Sequence, residues 1–233
     1  MALLSGLFNE LKDRIFPVHC LDCKKEGELV CENCFSKVIP QGIFCCPVCH
    51  EENFNGQTCD RCRQYSFLDQ QISICNYDEE NLISKIIEIY KYQFVEEAEK
   101  YFRILIKRFV LENLELFKSI NLVVLVPLHK RRQAERGFNQ AERIAKIIAE
   151  FIQVPVFSIL NRQKNTLQQA KLSKEERKTN VQNAFVCEKQ GLNGGILLVD
   201  DVFTTGSTLQ ECARAIKAES TNLKVIGFTI ARA

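Results

Sequence analysis

Four consecutive aliphatic residues, Ile196-Leu197-Leu198-Val199, run directly into Asp200-Asp201-Val202-Phe203 and then into Thr204-Thr205-Gly206-Ser207-Thr208. The apolar run has the pattern of a strand buried on both faces of a parallel sheet. The small-residue loop leads into a helix-like run, Leu209 to Ala218. Strand, acidic pair, hydroxyl-and-glycine loop and helix, in that order, restrict the chain to α/β folds with a ligand edge. Loop N–H groups and the open start of the helix suit a phosphate. The two carboxylates fall at the carboxyl end of the strand, where open α/β sheets bind ligands.

Two common phosphate motifs are excluded. Gly206 is followed by Ser207 and Thr208 with no lysine, so the P-loop pattern is missing, and G-x-G-x-x-G is missing too. What remains is a pair of acids that can accept hydrogen bonds from vicinal ribose hydroxyls, with loop N–H groups for a 5-phosphate nearby. A pyrophosphate on the sugar needs cations and magnesium, and basic loops can help to supply the charge.

Such loops are present. Val123-Val124-Leu125-Val126, ended by Pro127, reads as a second buried strand, and the loop after it, Leu128 to Gln140, holds Lys130, Arg131, Arg132 and Arg136. A helix is expected from Ala141 to Phe151 and a strand from Val156 to Leu160. Asn161 to Asn180 is polar without periodicity, which in a compact domain marks a functional or mobile segment. Lys130 to Lys178 carries twelve Lys/Arg against five Asp/Glu, although the whole chain is only +2. The cationic surplus therefore sits on the segments before the acidic pair.

Earlier in the chain, Gln71 to Tyr77 reads as a strand. Asn81 to Tyr90 and Val95 to Phe117 read as helices, with Lys91 between them as a solvated base. Asn183 to Cys187 and Leu223 to Ile230 read as strands. Buried strands alternating with helices argue for a mainly parallel sheet with helices on both faces.

Nine of the twelve cysteines lie between Cys20 and Cys62. They form four C-x2-C pairs, Cys20/Cys23, Cys31/Cys34, Cys46/Cys49 and Cys59/Cys62, with Cys45 left over. Each pair is a tight knuckle supplying half of a tetrahedral site, so four knuckles suffice for two zinc ions. Sequential pairing is expected; interleaved pairing and use of Cys45 for Cys46 stay open. His19 and His50 are weaker substitutes. The segment is too poor in apolar residues to fold on burial alone, so the metal supplies folding free energy. Cys75, Cys187 and Cys212 read as ordinary buried thiols. Met1 to Phe16 has apolar residues at helical spacing, an amphipathic helix for packing on the protein or, second, for a membrane surface or partner. It lacks the pattern of a signal peptide, and no apolar run reaches membrane-spanning length, so a reducing, cytoplasmic setting is expected.

These residues resemble a family. Val199 to Thr208 is similar to the phosphoribosyl-pyrophosphate motif of type I phosphoribosyltransferases. The whole chain resembles the ComF branch, the competence-type and GntX-like proteins: the cysteine knuckles, Lys91-Tyr92, Val126-Pro127-Leu128 through Arg136-Gly137-Phe138-Asn139-Gln140, and Arg162, Thr166, Gln169, Leu172, Arg177, Asn180 and Ala184-Phe185. The resemblance implies a double zinc-ribbon-like domain over residues 1–66 and a type I phosphoribosyltransferase-like α/β core over 67–233. It implies that Asp200 and Asp201 bind the ribose hydroxyls and act at the catalytic centre. Thr204, Thr205, Gly206, Ser207 and Thr208 would cradle the 5-phosphate, and Leu128, His129 and Lys130 would match the pyrophosphate loop. Arg162 to Lys178, with Thr166, Gln169 and Arg177, would match a flexible loop closing over the site. The implied role is uptake of single-stranded DNA in natural transformation with a helicase-like partner, ComFA. The alternative is an active phosphoribosyltransferase of nucleotide or cofactor metabolism with no direct DNA role.

Overall fold

The computed structural model describes residues 17–92, 95–164, 180–220 and 222–233. The amphipathic run Met1 to Phe16, and Thr166, Gln169 and Arg177, lie outside the described residues. A six-stranded sheet has the order β1-β2-β8-β7-β3-β4. Its strands are β1 (Ile43–Phe44), β2 (Gln70–Asn76), β3 (Ile120–Leu125), β4 (Val156–Phe157), β7 (Gly194–Phe203) and β8 (Leu223–Arg232). All neighbours pair in parallel except β1, which lies antiparallel on β2. A separate hairpin joins β5 (Leu160–Arg162) to β6 (Phe185–Cys187).

β7 is central because its apolar run can be buried on both sides. Ile196 to Val199 are all 0% exposed, and Val199 sits between Leu125 of β3 and Phe228 of β8. The helices are α1 (Glu32–Phe35), α2 (Leu82–Tyr92), α3 (Val95–Glu112), α4 (Lys130–Arg136), α5 (Gln140–Ile152) and α6 (Ser207–Ala218). Phe228 packs on Phe109 of α3, with ring centroids 6.5 Å apart. Its neighbour Gly227 points the other way, toward Leu209 of α6. Successive strand residues face opposite sides, so α3 and α6 cover opposite faces, as the alternating pattern predicts.

Four local differences from the sequence reading have clear causes. The long helical run stops at Glu112 because the Asn113 side chain donates to the Phe109 carbonyl, and a short 3-10 turn, Leu114–Phe117, follows. The basic loop holds a helix, α4. His129 caps its start, its Nδ1 accepting from Arg131 N at 3.2 Å, and Gly137 ends it at φ 79°. The expected strand Val156 to Leu160 is split between β4 and β5. β7 does not stop at the acids but runs through them to Phe203.

The cysteine-rich segment is tied to this core at several points. β1 extends the sheet edge, and Tyr101 of α3 bonds the carbonyl and the N–H of Val30 through its hydroxyl at 2.8 and 3.1 Å. Gln210 of α6 accepts from Phe67 N at 2.8 Å and donates to Ser66 Oγ at 2.9 Å. Arg232, buried at the end of β8, bonds His50 Nδ1 at 2.7 Å and lies over the Phe203 ring.

Candidate functional site

At the carboxyl edge of β7 a cleft of about 490 Å³ is lined by Asp200, Asp201, Thr204, Gly206, Ser207 and Thr208, together with Tyr77, Glu79 and Lys91. It gathers the acidic pair and most of the phosphate loop on one surface. Thr205 turns to a second cavity beside knuckle residues Pro47 and Val48, while Ser207 lines both. The Thr205 and Ser207 hydroxyls bond each other at 2.8 Å, which fixes the loop. Gly206 is the N-cap of α6 and has no side chain to cap the helix; Ser207 N makes a long contact of 3.4 Å with Thr205 Oγ1, and the start of the helix lines the cleft, an arrangement that suits an anion.

The two acids are not equivalent. Asp201 has both oxygens engaged: Oδ1 accepts from Val202 N at 2.8 Å, and Oδ2 pairs with Lys91 Nζ at 3.1 Å. Asp200 Oδ1 accepts from Asp201 N at 2.9 Å. Burial, and then the neighbouring Asp201 charge, push the Asp200 carboxyl up to about 8. Burial works against the Lys91 ammonium as well, but Asp201 outweighs it and holds Lys91 above the ordinary lysine range.

Lys91, by its sequence a solvated base, stands instead in the cleft, because the last turn of α2 brings it to the Asp201 carboxylate. Its sequence neighbourhood gave one signal, the Lys91-Tyr92 pair in the family pattern. Tyr77 and Glu79, which follow β2, carried no signal in the sequence.

Other expected site residues are placed differently. Leu125, the last residue of β3, pairs with Val199, so Leu128, His129 and Lys130 leave the sheet beside the acids. They are not among the residues lining the cleft. His129 is occupied in capping α4. Arg162, expected at the start of a flexible loop, is a strand residue of β5. It is 8% exposed, with its guanidinium over the Phe185 ring, and its charge is felt at Asp200. The polar sequence around it concealed this, since cation–π stacking on Phe185 compensates the burial of an arginine.

The cysteines resolve into two groups, Cys20, Cys23, Cys31 and Cys34, and Cys46, Cys49, Cys59 and Cys62. Pairing is sequential, and Cys45 stays outside as a buried thiol. Both leading knuckles have the same backbone: Lys24 N reaches Cys20 O and His50 N reaches Cys46 O, with Lys24 and His50 each at φ 64°. The donor set fits zinc. Tetrahedral Zn–S bonds of about 2.3 Å require sulfurs about 3.8 Å apart, and Cys23–Cys31 and Cys49–Cys59 stand at 3.6 and 3.8 Å. Burial would raise the Cys20 thiol, but the N–H groups of Cys31, Asp22 and Cys23 bring it down to about 6. Cys46 is lowered to about 6 in the same way, by N–H groups of Cys49, Cys59 and Val48 acting against burial.

No protein-family model matches the chain. Competence protein F of Haemophilus influenzae is 29% identical over 216 residues, covering 87% of this chain and 92% of that protein. Competence protein ComFC of Bacillus subtilis is 28% identical over 221 residues, covering 89% and 86%. The chain is similar to both competence proteins over most of its length. The DNA utilization protein YhgH of Escherichia coli shares 37% identity over a shorter stretch of 95 residues, 40% of this chain and 42% of that one. Among solved structures, adenine phosphoribosyltransferase from Leishmania donovani superposes with a TM-score of 0.39 at 9% identity, over 70% of this chain and 83% of that one. An overlay this loose carries no argument.

The Thr204 to Thr208 loop depends on one glycine. Gly206 has φ 74°, and a Cβ there would lie 2.5 Å from the Phe203 ring, which is itself locked beneath Arg232. Gly206→Ala is expected to cost at least about 1–2 kcal/mol from the left-handed backbone alone. A urea midpoint unchanged from wild type would contradict this.

Proposed function

We propose that this protein binds phosphoribosyl pyrophosphate with magnesium in the cleft at the end of β7, and acts with single-stranded DNA during its uptake. One observation carries the ligand. Two carboxylates and an uncapped helix start open into the same cleft, separated by a single short loop. Carboxylates accept from a sugar diol while helix N–H groups donate to a phosphate, so the two halves select a phosphorylated sugar. Asp200, raised by its environment, fits a site that expects hydroxyl donors or added positive charge. Magnesium arriving with the ligand would supply charge neutralisation at the pyrophosphate, and Lys130, Arg131 and Arg132 at the start of α4 would add positive charge from outside the cleft lining.

The DNA setting is supported by the homologues' names, competence protein F, ComFC and DNA utilization protein. The basic surplus between Lys130 and Lys178 suits a polyanion. A ComFA-like helicase partner follows from the family resemblance, and a cytoplasmic location is the setting expected for reduced, metal-binding cysteines. No helix among the described residues is long and apolar enough to cross a membrane.

Calorimetric titration of phosphoribosyl pyrophosphate with magnesium tests this reading. Wild type is expected to bind and an Asp200→Ala/Asp201→Ala variant to lose binding by about 100-fold or more, as two charge-assisted contacts would be removed. No binding by wild type would sink the ligand. Equal binding by both proteins would sink the residues.

A further inference from the structure

The acidic pair is held asymmetrically, and the cause lies on another element. Lys91 comes from α2, more than a hundred residues before the acids, yet its Nζ is 3.1 Å from Asp201 Oδ2, with less than a quarter of either side chain exposed. Asp201 Oδ1 is taken by Val202 N. With one bond on each oxygen, the Asp201 carboxylate cannot turn without breaking one of them. Asp200 uses Oδ1 on Asp201 N, and its Oδ2 has no protein partner among the described residues. Nor is that atom one of the polar atoms sealed in the interior without a partner, which is consistent with an oxygen that can meet a ligand.

We propose that Lys91 is the positioning residue of the acid pair: by pinning Asp201 it leaves Asp200 as the carboxyl presented to the sugar diol. The ligand part of this inference rests on the function proposed above. The asymmetry itself does not, because it is a property of the protein alone.

Charges from every neighbouring element bear on it. Tyr77 at the end of β2 and Arg136 of α4 face Lys91. The charge of Arg162 of β5 acts on Asp200, and the Asp200 charge, after burial, helps to hold the Cys212 thiol of α6 up. Glu79 and Glu88 reach the site through Tyr77, and Arg132 through Arg162. Of the cations acting on Asp200, Lys91 has the larger influence, ahead of Arg162. Removing Lys91 therefore leaves two adjacent carboxylates with one distant guanidinium.

Two measurements decide the proposal. The first needs no ligand: the Asp200 carboxyl is titrated by carbon-13 NMR in wild type, Lys91→Met, Lys91→Gln and Lys91→Arg. The Gln variant keeps a hydrogen-bond donor but drops the charge, and it serves if the Met variant fails to fold. The Asp200 midpoint is expected to rise by about 1 pH unit in both neutral variants and to stay near wild type in Lys91→Arg, since the Lys91 charge favours the ionised form of Asp200 and a nearby opposite charge is worth at least about 1 pH unit. An unmoved midpoint in the neutral variants overturns the proposal.

The second is calorimetry with phosphoribosyl pyrophosphate and magnesium. The neutral variants are expected to bind about tenfold more weakly near pH 7 and to recover toward pH 9.5, in step with the titration, one pH unit in the midpoint being about one decade in affinity. Equal weakening at every pH would show a direct ligand contact and overturn the positioning role. If wild type itself does not bind, the proposed function fails, while the NMR titration still decides the role of Lys91.

Discussion

Stripping zinc from the protein is expected to unfold residues 17–69 and to loosen the phosphate loop behind them. Structural zinc sites carry an apparent binding free energy of about 10–16 kcal/mol that is also folding free energy. The whole stability of a domain is about 5–15 kcal/mol, so loss of even one site dominates the balance. The cysteine-rich segment has few apolar residues of its own; its buried members, such as Leu29, Val30 and Phe35, share the core with α3. The two sites should not be equal. The first holds the segment against Tyr101 of α3. The second places His50 on Arg232, which covers Phe203, the residue beneath Gly206. Cys49→Ser is therefore expected to weaken ligand binding more than Cys23→Ser, at the same loss of one zinc. Metal analysis with circular dichroism during chelation checks this, with about two zinc ions per chain expected from four-thiolate sites. A stoichiometry well below one, or chelation with no change in the unfolding transition, would remove the zinc reading.

Replacing the presented acid is expected to stabilise the protein and abolish its ligand binding. The Asp200 carboxyl is raised by burial and by Asp201 to about 8, whereas in the unfolded chain it titrates near the ordinary aspartate value of about 4. The folded state thus holds a proton more tightly than the unfolded state. The contribution of this group is fully present below about pH 4 and is lost as pH rises toward 8. Asp200→Asn is neutral at every pH, so its advantage over wild type should be small near pH 4 and grow up to pH 8. There it should exceed about 1.4 kcal/mol, the free energy of a tenfold difference in proton affinity between the folded and unfolded states. For a chain of this size that is about 3–5 °C in Tm. Thermal melts of both proteins at several pH values test the sign. A difference that shrinks with rising pH would show that Asp200 is not destabilised in the fold. The price of the native acid is the usual one at a binding site, where stability is given up for a charge that the ligand needs.

The placement of Asp200 shows what a local pattern can and cannot convey. Ile196 to Val199 could only be a strand covered on both faces, and the loop and helix after it could only present N–H groups at its end. Both statements depend on short-range geometry, and Ile196 to Val199 are indeed fully buried in β7. The four knuckles were equally local: a C-x2-C turn fixes two sulfurs whatever surrounds it, though only the folded chain chose the sequential pairing and left Cys45 out. The helix within the basic loop escaped notice because its periodicity spans only Lys130 to Arg136 and no residue in it is buried.

Lys91 and Arg162 were misplaced for a different reason. A charged residue reads as solvated unless something far along the chain compensates it, and the compensating groups here are Asp201, 110 residues from Lys91, and the Phe185 ring beside Arg162. The sequence by itself determined the sheet's central strand, the acidic pair, the phosphate loop and the metal knuckles, because each is set by neighbours a few residues apart. The tertiary structure alone decided which cation meets which acid and how differently the two carboxyls are held. Those outcomes depend on burial and on distances of about 3 Å between elements, and electrostatic energy at that range varies too steeply with position to be carried by any local pattern.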